Sequence, residues 1–164
     1  MTDTYPLASL LALRRYREDE ALRNVTRAKE AFKDAETVLE SAENDLSRWE
    51  QWASEEKDRR YQRLIGRPTT VEALDVFNRS LADLAAETLH KKTLVNAART
   101  RCDDCKRHLE EAQFKASTAR RNTAKMQTHY DLWKKAAKRA AEHAEDLEFE
   151  DFQSGGPLSQ RSDD

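Results

Sequence analysis

From Ala21 to Ala53, apolar residues recur in alternating steps of four and three: Ala21, Val25, Ala28, Phe32, Ala35, Leu39, Ala42, Leu46, Trp49 and Ala53. The same register extended backward reaches Glu18, Arg14, Leu11 and Leu7, so two charges fall in the seam. A second register begins at Leu74 and Phe77. It passes through Leu81, Leu84, Thr88, Lys91, Val95, Ala98, Cys102, Cys105, Leu109, Ala112 and Ala116. It continues as Ala119, Thr123, Met126, Tyr130, Trp133, Ala137, Ala140, Ala144 and Leu147, with only Thr88, Lys91 and Thr123 breaking its apolar character. An apolar repeat sustained this long implies helices paired along one seam, a coiled coil, rather than isolated amphipathic helices.

The registers are separated by IGRPTT, residues 65–70. Gly66 suits the left-handed position that ends a helix, and Pro68 prevents continuation. Thr69 and Glu72 have the spacing of a capping box, which starts a new helix. The pattern predicts an all-α fold, a two-helix antiparallel coiled-coil hairpin over residues 1–152: helix ~7–64, turn ~65–70, helix ~71–148. A turn centred on Arg67 and Pro68 sets Phe32 against Cys102 and Cys105, Leu39 against Val95, and Trp49 against Leu84. It also brings Glu36 near Arg99, Asp34 near Arg101, and Glu43 near Lys91 and Lys92. Residues beyond about 130 project past the start of the first helix. The end, 153–164, is polar and rich in Gly, Pro and Ser, and is expected to be disordered.

Composition agrees with long helices. The chain has 164 residues, 37% of them charged and 38% hydrophobic, with only 3 Gly and 3 Pro. Low hydropathy also occurs in disordered chains, but the regular apolar spacing argues against that here. No apolar run approaches the ~20 residues of a membrane span. The N-terminal MTDTYPLASLLALRR places an acid before its short apolar run and bases after it, unlike a secretion signal. The protein is read as cytoplasmic, with no membrane insertion.

Cys102, Cys105 and His108 look like half of a zinc site or a redox pair. Both cysteines lie in the seam, however, where Cys packs as a small hydrophobe. Zinc takes about four ligands, and no second Cys/His pair lies nearby in sequence. A redox C-x-x-C normally opens a helix after a strand, and none is predicted. The cysteines are read as reduced packing residues, with no metal and no cofactor. No phosphate loop, H-E-x-x-H or nucleophile motif is present, and a bare hairpin lacks a concave pocket. The chain is therefore expected not to be an enzyme.

The net charge of −2 conceals segregation. Residues 6–29 and 115–141 together hold 14 basic and 4 acidic residues, +10. Residues 30–114 hold 14 and 18, −4, and residues 142–164 hold 1 and 8, −7. A basic end with a thin, alanine-rich seam suggests an acidic partner surface. Its residues include Arg14, Arg15, Arg17, Arg120, Arg121, Lys134, Lys135, Lys138 and Arg139. Phe114, Leu89, Leu132, Trp52 and Leu22 fall off the seam, where a thin rod has no second layer to cover them. Two other readings stay open: nucleic-acid binding by the basic end, disfavoured by the scarcity of aromatics among its bases, and self-association through Phe114 and the Trp52 side.

The opening Tyr5-Pro6-Leu7 and Leu10-Leu11-Ala12-Leu13-Arg14-Arg15, the long hairpin with a Pro/Thr turn, and His129-Tyr130-Asp131-Leu132-Trp133-Lys134-Lys135-Ala136 resemble the YscO-type (SctO) family of type III secretion systems, related to the flagellar FliJ stalk. The resemblance covers roughly residues 5–152. It implies a non-enzymatic central stalk that inserts into the pore of a hexameric type III secretion ATPase, stimulates it, and touches the export gate protein at the base of the apparatus. It also implies a link to secretion chaperones. On this reading the basic end meets the ATPase. Trp52, Tyr61, Phe77 and Phe114 are left for the export gate or a chaperone.

Overall fold

The computed structural model describes residues 4–154. Among them are α1 (Ala8–Leu64) and α2 (Val71–Ser154), and no strand. Contacts divide the chain into two units. The hairpin unit is Leu22–Phe114, and the terminal unit joins residues up to Ala21 with those from Lys115 onward.

In the hairpin unit, α1 closes with Ile65 N donating to Tyr61 O at 3.1 Å. Gly66 follows at φ +77°, the only positive φ among the described residues and one that an L side chain adopts only under strain. The cap of α2 is Thr70, not the Thr69–Glu72 box. Ala73 N donates to Thr70 Oγ1 at 3.3 Å and Leu74 N to Thr70 O at 3.1 Å. Thr69 instead donates to Arg67 O within the turn.

The seam follows the repeat. Ala35, Leu84, Val95 and Cys102 are buried, and Val25, Phe32, Leu39, Leu46, Trp49, Leu81 and Ala98 are half-buried. Full burial of a Leu or Val contributes about 1.5–3 kcal/mol. The polar breaks are accommodated by one residue, Trp49. Its Nε1 donates to Thr88 Oγ1 at 2.9 Å, and Lys91 Nζ lies 5.6 Å from its ring centroid.

Charge pairing differs from expectation. Glu43 meets Arg99 at 3.0 Å, and Glu50 meets Lys92 at 3.3 Å. The expected pairs of Glu36 with Arg99, Asp34 with Arg101, and Glu43 with Lys91 or Lys92 do not form as ion pairs. Helical side chains lean toward their own N-terminus. In antiparallel helices the tips that meet therefore belong to residues further along each helix than a backbone-opposed pairing suggests.

In the terminal unit the core is Tyr5, Leu11 and Ala116. Ala8 N donates to Tyr5 O at 3.1 Å, so the chain enters α1 through a turn that brings Tyr5 onto α2. Leu7, expected in the seam, stays partly exposed, because Tyr5 occupies the end of the seam in its place. Beyond Ala137, every residue of α2 from 138 to 152 is exposed. The helix itself runs to Ser154 instead of ending near 148. Its Glu- and Ala-rich stretch favours helix, and the first breakers are Gly155 and Gly156. Gln153 and Ser154, assigned in sequence to the tail, are thus helical; the rest of the expected disordered tail lies outside the described residues. No described helix is long and apolar enough to cross a membrane.

Candidate functional site

All nine basic residues singled out in the sequence fall in the terminal unit. Arg14 is half-buried in the seam, and its carbonyl accepts from Thr123 Oγ1 at 3.2 Å. This bond accounts for the polar Thr123 in the seam, which meets the backbone of α1 at Arg14. Glu18, the other seam charge, lies 3.9 Å from Arg120 Nε, whose side chain is 78% exposed. Arg15 donates to Gln127 Oε1 at 2.6 Å. Lys138 lies 3.6 Å from Glu142 one turn on. Arg17, Arg121, Lys134, Lys135 and Arg139 are exposed and form no ion pair among the described residues. From residue 4 to 21 and 115 to 141 the unit holds 11 basic and 4 acidic residues, +7.

This charged surface is braced by aromatic rings. Tyr5 meets Tyr130 edge-on at 5.1 Å and Trp133 at 5.2 Å. Its hydroxyl is hydrogen-bonded to His129 Nδ1 at 2.7 Å. Tyr5 thereby fixes the stretch of α2 that carries Lys134 and Lys135. Its place before the helix, outside the repeat, gave no sign of this role beyond its hydrophobicity beside Pro6.

The four apolar candidates do not form one patch. Tyr61 and Phe77 pack edge-to-face at 5.1 Å beside the turn. Trp52 packs on Trp49 at 5.0 Å further along α1. Phe114 stands apart, 69% exposed. The structure adds Ile65 and Val71, each 73% exposed, with Val76 and with Leu74, which was expected to open the second seam but is exposed beside the turn. Two β-branched residues flanking a polar turn were the available signal for them. Beneath this apolar end, Glu56 pairs with Arg60 at 2.9 Å and Arg59 at 3.0 Å, while Arg60 also donates to Ser80 O at 2.8 Å. The hydrogen bonds from Arg60 and then Arg59 hold the Glu56 carboxyl below its ordinary range.

Cys102 is buried and Cys105 half-buried, both as free thiols. Burial, then the nearby Glu36 and Asp103 carboxylates, pushes the Cys102 thiol up, away from the reactive thiolate. Among the described residues, no group of three or more His, Cys, Asp or Glu converges as metal ligands would.

The family of the type III secretion protein YscO matches residues 7–155. The chain belongs to the YscO family. Its role therefore lies in type III secretion, within the secretion apparatus. YscO of Vibrio parahaemolyticus has the same fold, with a TM-score of 0.83 at 21% identity over 89% of this chain and 92% of that one. A putative YscO homolog of Chlamydia trachomatis, CT670, gives 0.75 at 19% identity over 92% of each chain. No curated protein matches.

Proposed function

We propose that this YscO-family protein is a non-enzymatic stalk for the type III secretion ATPase, acting in the cytoplasm at the base of the apparatus. The observation that carries the reading is the convergence of bases from both helices on one unit, where most lack an acidic partner among the described residues. The terminal unit enters the pore of the hexameric ATPase through Arg14, Arg15, Arg17, Arg120, Arg121, Lys134, Lys135, Lys138 and Arg139, and stimulates it. Diffuse charge suits a ring, because it tolerates an asymmetric fit and accelerates encounter. The apolar turn end, with Tyr61 and Phe77 and now Ile65, Val71 and Leu74, meets the export gate protein. Trp52 and Phe114 are separate contacts for the gate or a secretion chaperone.

The test is ATPase activity of the cognate enzyme titrated with wild type and with a triple variant, Arg120→Glu, Arg121→Glu, Lys125→Glu. These positions are exposed, so helicity is retained. Stimulation should fall with the variant. With wild type it should fall as salt rises, since screening acts over about 8 Å at physiological ionic strength. Equal stimulation by both proteins overturns the assignment.

A further inference from the structure

The seam of α2 does not stop where its partner does. Ala140, Ala144 and Leu147 continue the register of Trp133 and Ala137, yet residues 138–152 are exposed throughout. The charge of this overhang is also specific. Residues 142–152 carry Glu142, Glu145, Asp146, Glu148, Glu150 and Asp151, −6, and no Lys or Arg. Acids near a helix C-terminus oppose the helix dipole, and the last turn holds no base to offset them. A helical end with neither tertiary packing nor favourable end charge is marginal alone. It calls for a partner that is apolar along one stripe and basic beside it.

The chain itself presents that surface just upstream. Residues 132–141, LWKKAAKRAA, hold Lys134, Lys135, Lys138 and Arg139 and no acid. About Ala140–Ala144 the sequence is thus basic on one side and acidic on the other. Two copies of α2 laid antiparallel through this point are complementary. Ala137 meets Leu147 of the second copy, and Ala140 meets its Ala144. Lys134 lies beside Glu148 at the flanking positions that set orientation in coiled coils. Parallel pairing would oppose base to base and acid to acid. Small alanines at the crossing permit close approach of the helices. The contact is isologous, so it closes as a dimer.

We infer that a second copy of this chain occupies the overhang, forming a two-fold antiparallel dimer through residues 132–152 of α2. This interaction is separate from the ATPase reading, although it covers Lys134 and Lys138 and so competes with any partner of the basic end.

Sedimentation equilibrium of the full chain tests it, using Lys134→Glu and Glu148→Lys, each alone and mixed. At low salt, up to about 100 μM, wild type should reach dimer, as a micromolar association requires, and raising salt should return it to monomer. Either single variant sets like charges at both flanking pairs, and should weaken self-association roughly tenfold or more. Mixing the two variants opposes Glu to Lys at both pairs and should restore a dimer, a result that simple misfolding cannot produce. Circular dichroism of each variant verifies that α2 persists. A monomeric wild type under these conditions would mean that the overhang takes another chain, and overturns the inference. So does a dimer indifferent to the single variants, or a mixture that fails to pair.

Discussion

Tyr5 shows how much one side chain outside any helix can organise. It is buried on α2 between Tyr130 and Trp133 and reaches His129 through its hydroxyl. Tyr5→Ala should destabilise the terminal unit by about 3 kcal/mol, as loss of a buried aromatic does. Tyr5→Phe should cost only about 1 kcal/mol, the worth of one hydrogen bond. Urea unfolding of both variants separates packing from polarity; equal losses would assign the whole effect to the hydroxyl. The cysteines make a second residue-scale prediction. Cys105, half-buried, should react with a thiol reagent at neutral pH faster than Cys102, whose thiol is buried and pushed up. Peptide mapping of partially alkylated protein gives the order directly. The seam position of both cysteines was legible in sequence. The importance of Tyr5 was not, because a heptad pattern carries no information about residues that reach the seam from outside a helix.

Within the helices, the repeat placed the buried positions well, because only one face of each helix meets the other in its unit. Leu84, Val95, Cys102 and Ala116 are buried as spaced, and the polar breaks Thr88 and Thr123 are cross-helix bonding sites. Register between the helices was less legible. Sequence shows which residues lie on a face, but not how far long side chains lean, so Glu43 and Arg99 pair where Glu36 and Arg99 were expected. The α2 end was missed for a related reason. The seam repeat gives out after Leu147, which set the expected end near 148, whereas helix propensity carries α2 to Ser154, just before the first glycines. The Glu56–Arg60–Arg59 cluster supplies a pH test on the hairpin. The Glu56 carboxyl is held below its unfolded value, so its stabilisation is present above the ordinary carboxylate pKa and is lost as pH falls through the lowered one. Glu56→Gln should therefore lower the urea midpoint at neutral pH, and the gap from wild type should close on acidification. A gap constant with pH would remove Glu56 from the linkage.

Taken as a whole molecule, the chain is nearly neutral, with 29 bases and 31 acids. Its electrostatic character is nevertheless strong outside residues 30–114, because there the signs are segregated, basic over 6–29 and 115–141 and acidic over 142–164. Neutrality in total hides a dipolar terminal unit, basic to Ala141 and acidic beyond. That arrangement is what both proposed partners, the ATPase ring and a second copy of the chain, would read. The 3 tryptophans are distributed with consequences for measurement. Trp133 belongs to the terminal unit, while Trp49 and Trp52 belong to the hairpin unit. Trp133→Phe leaves fluorescence that reports on one unit, and Trp49→Phe with Trp52→Phe leaves fluorescence that reports on the other. The terminal unit, alanine-lined and like-charged where its helices pair, should melt first, giving a lower midpoint for Trp133 emission than for Trp49 and Trp52. Coincident midpoints would instead show that the continuous helices couple both units into one transition. The protein thus carries an optical label for each half, and which indole changes colour tests each proposed partner, the ring, the gate or a second copy.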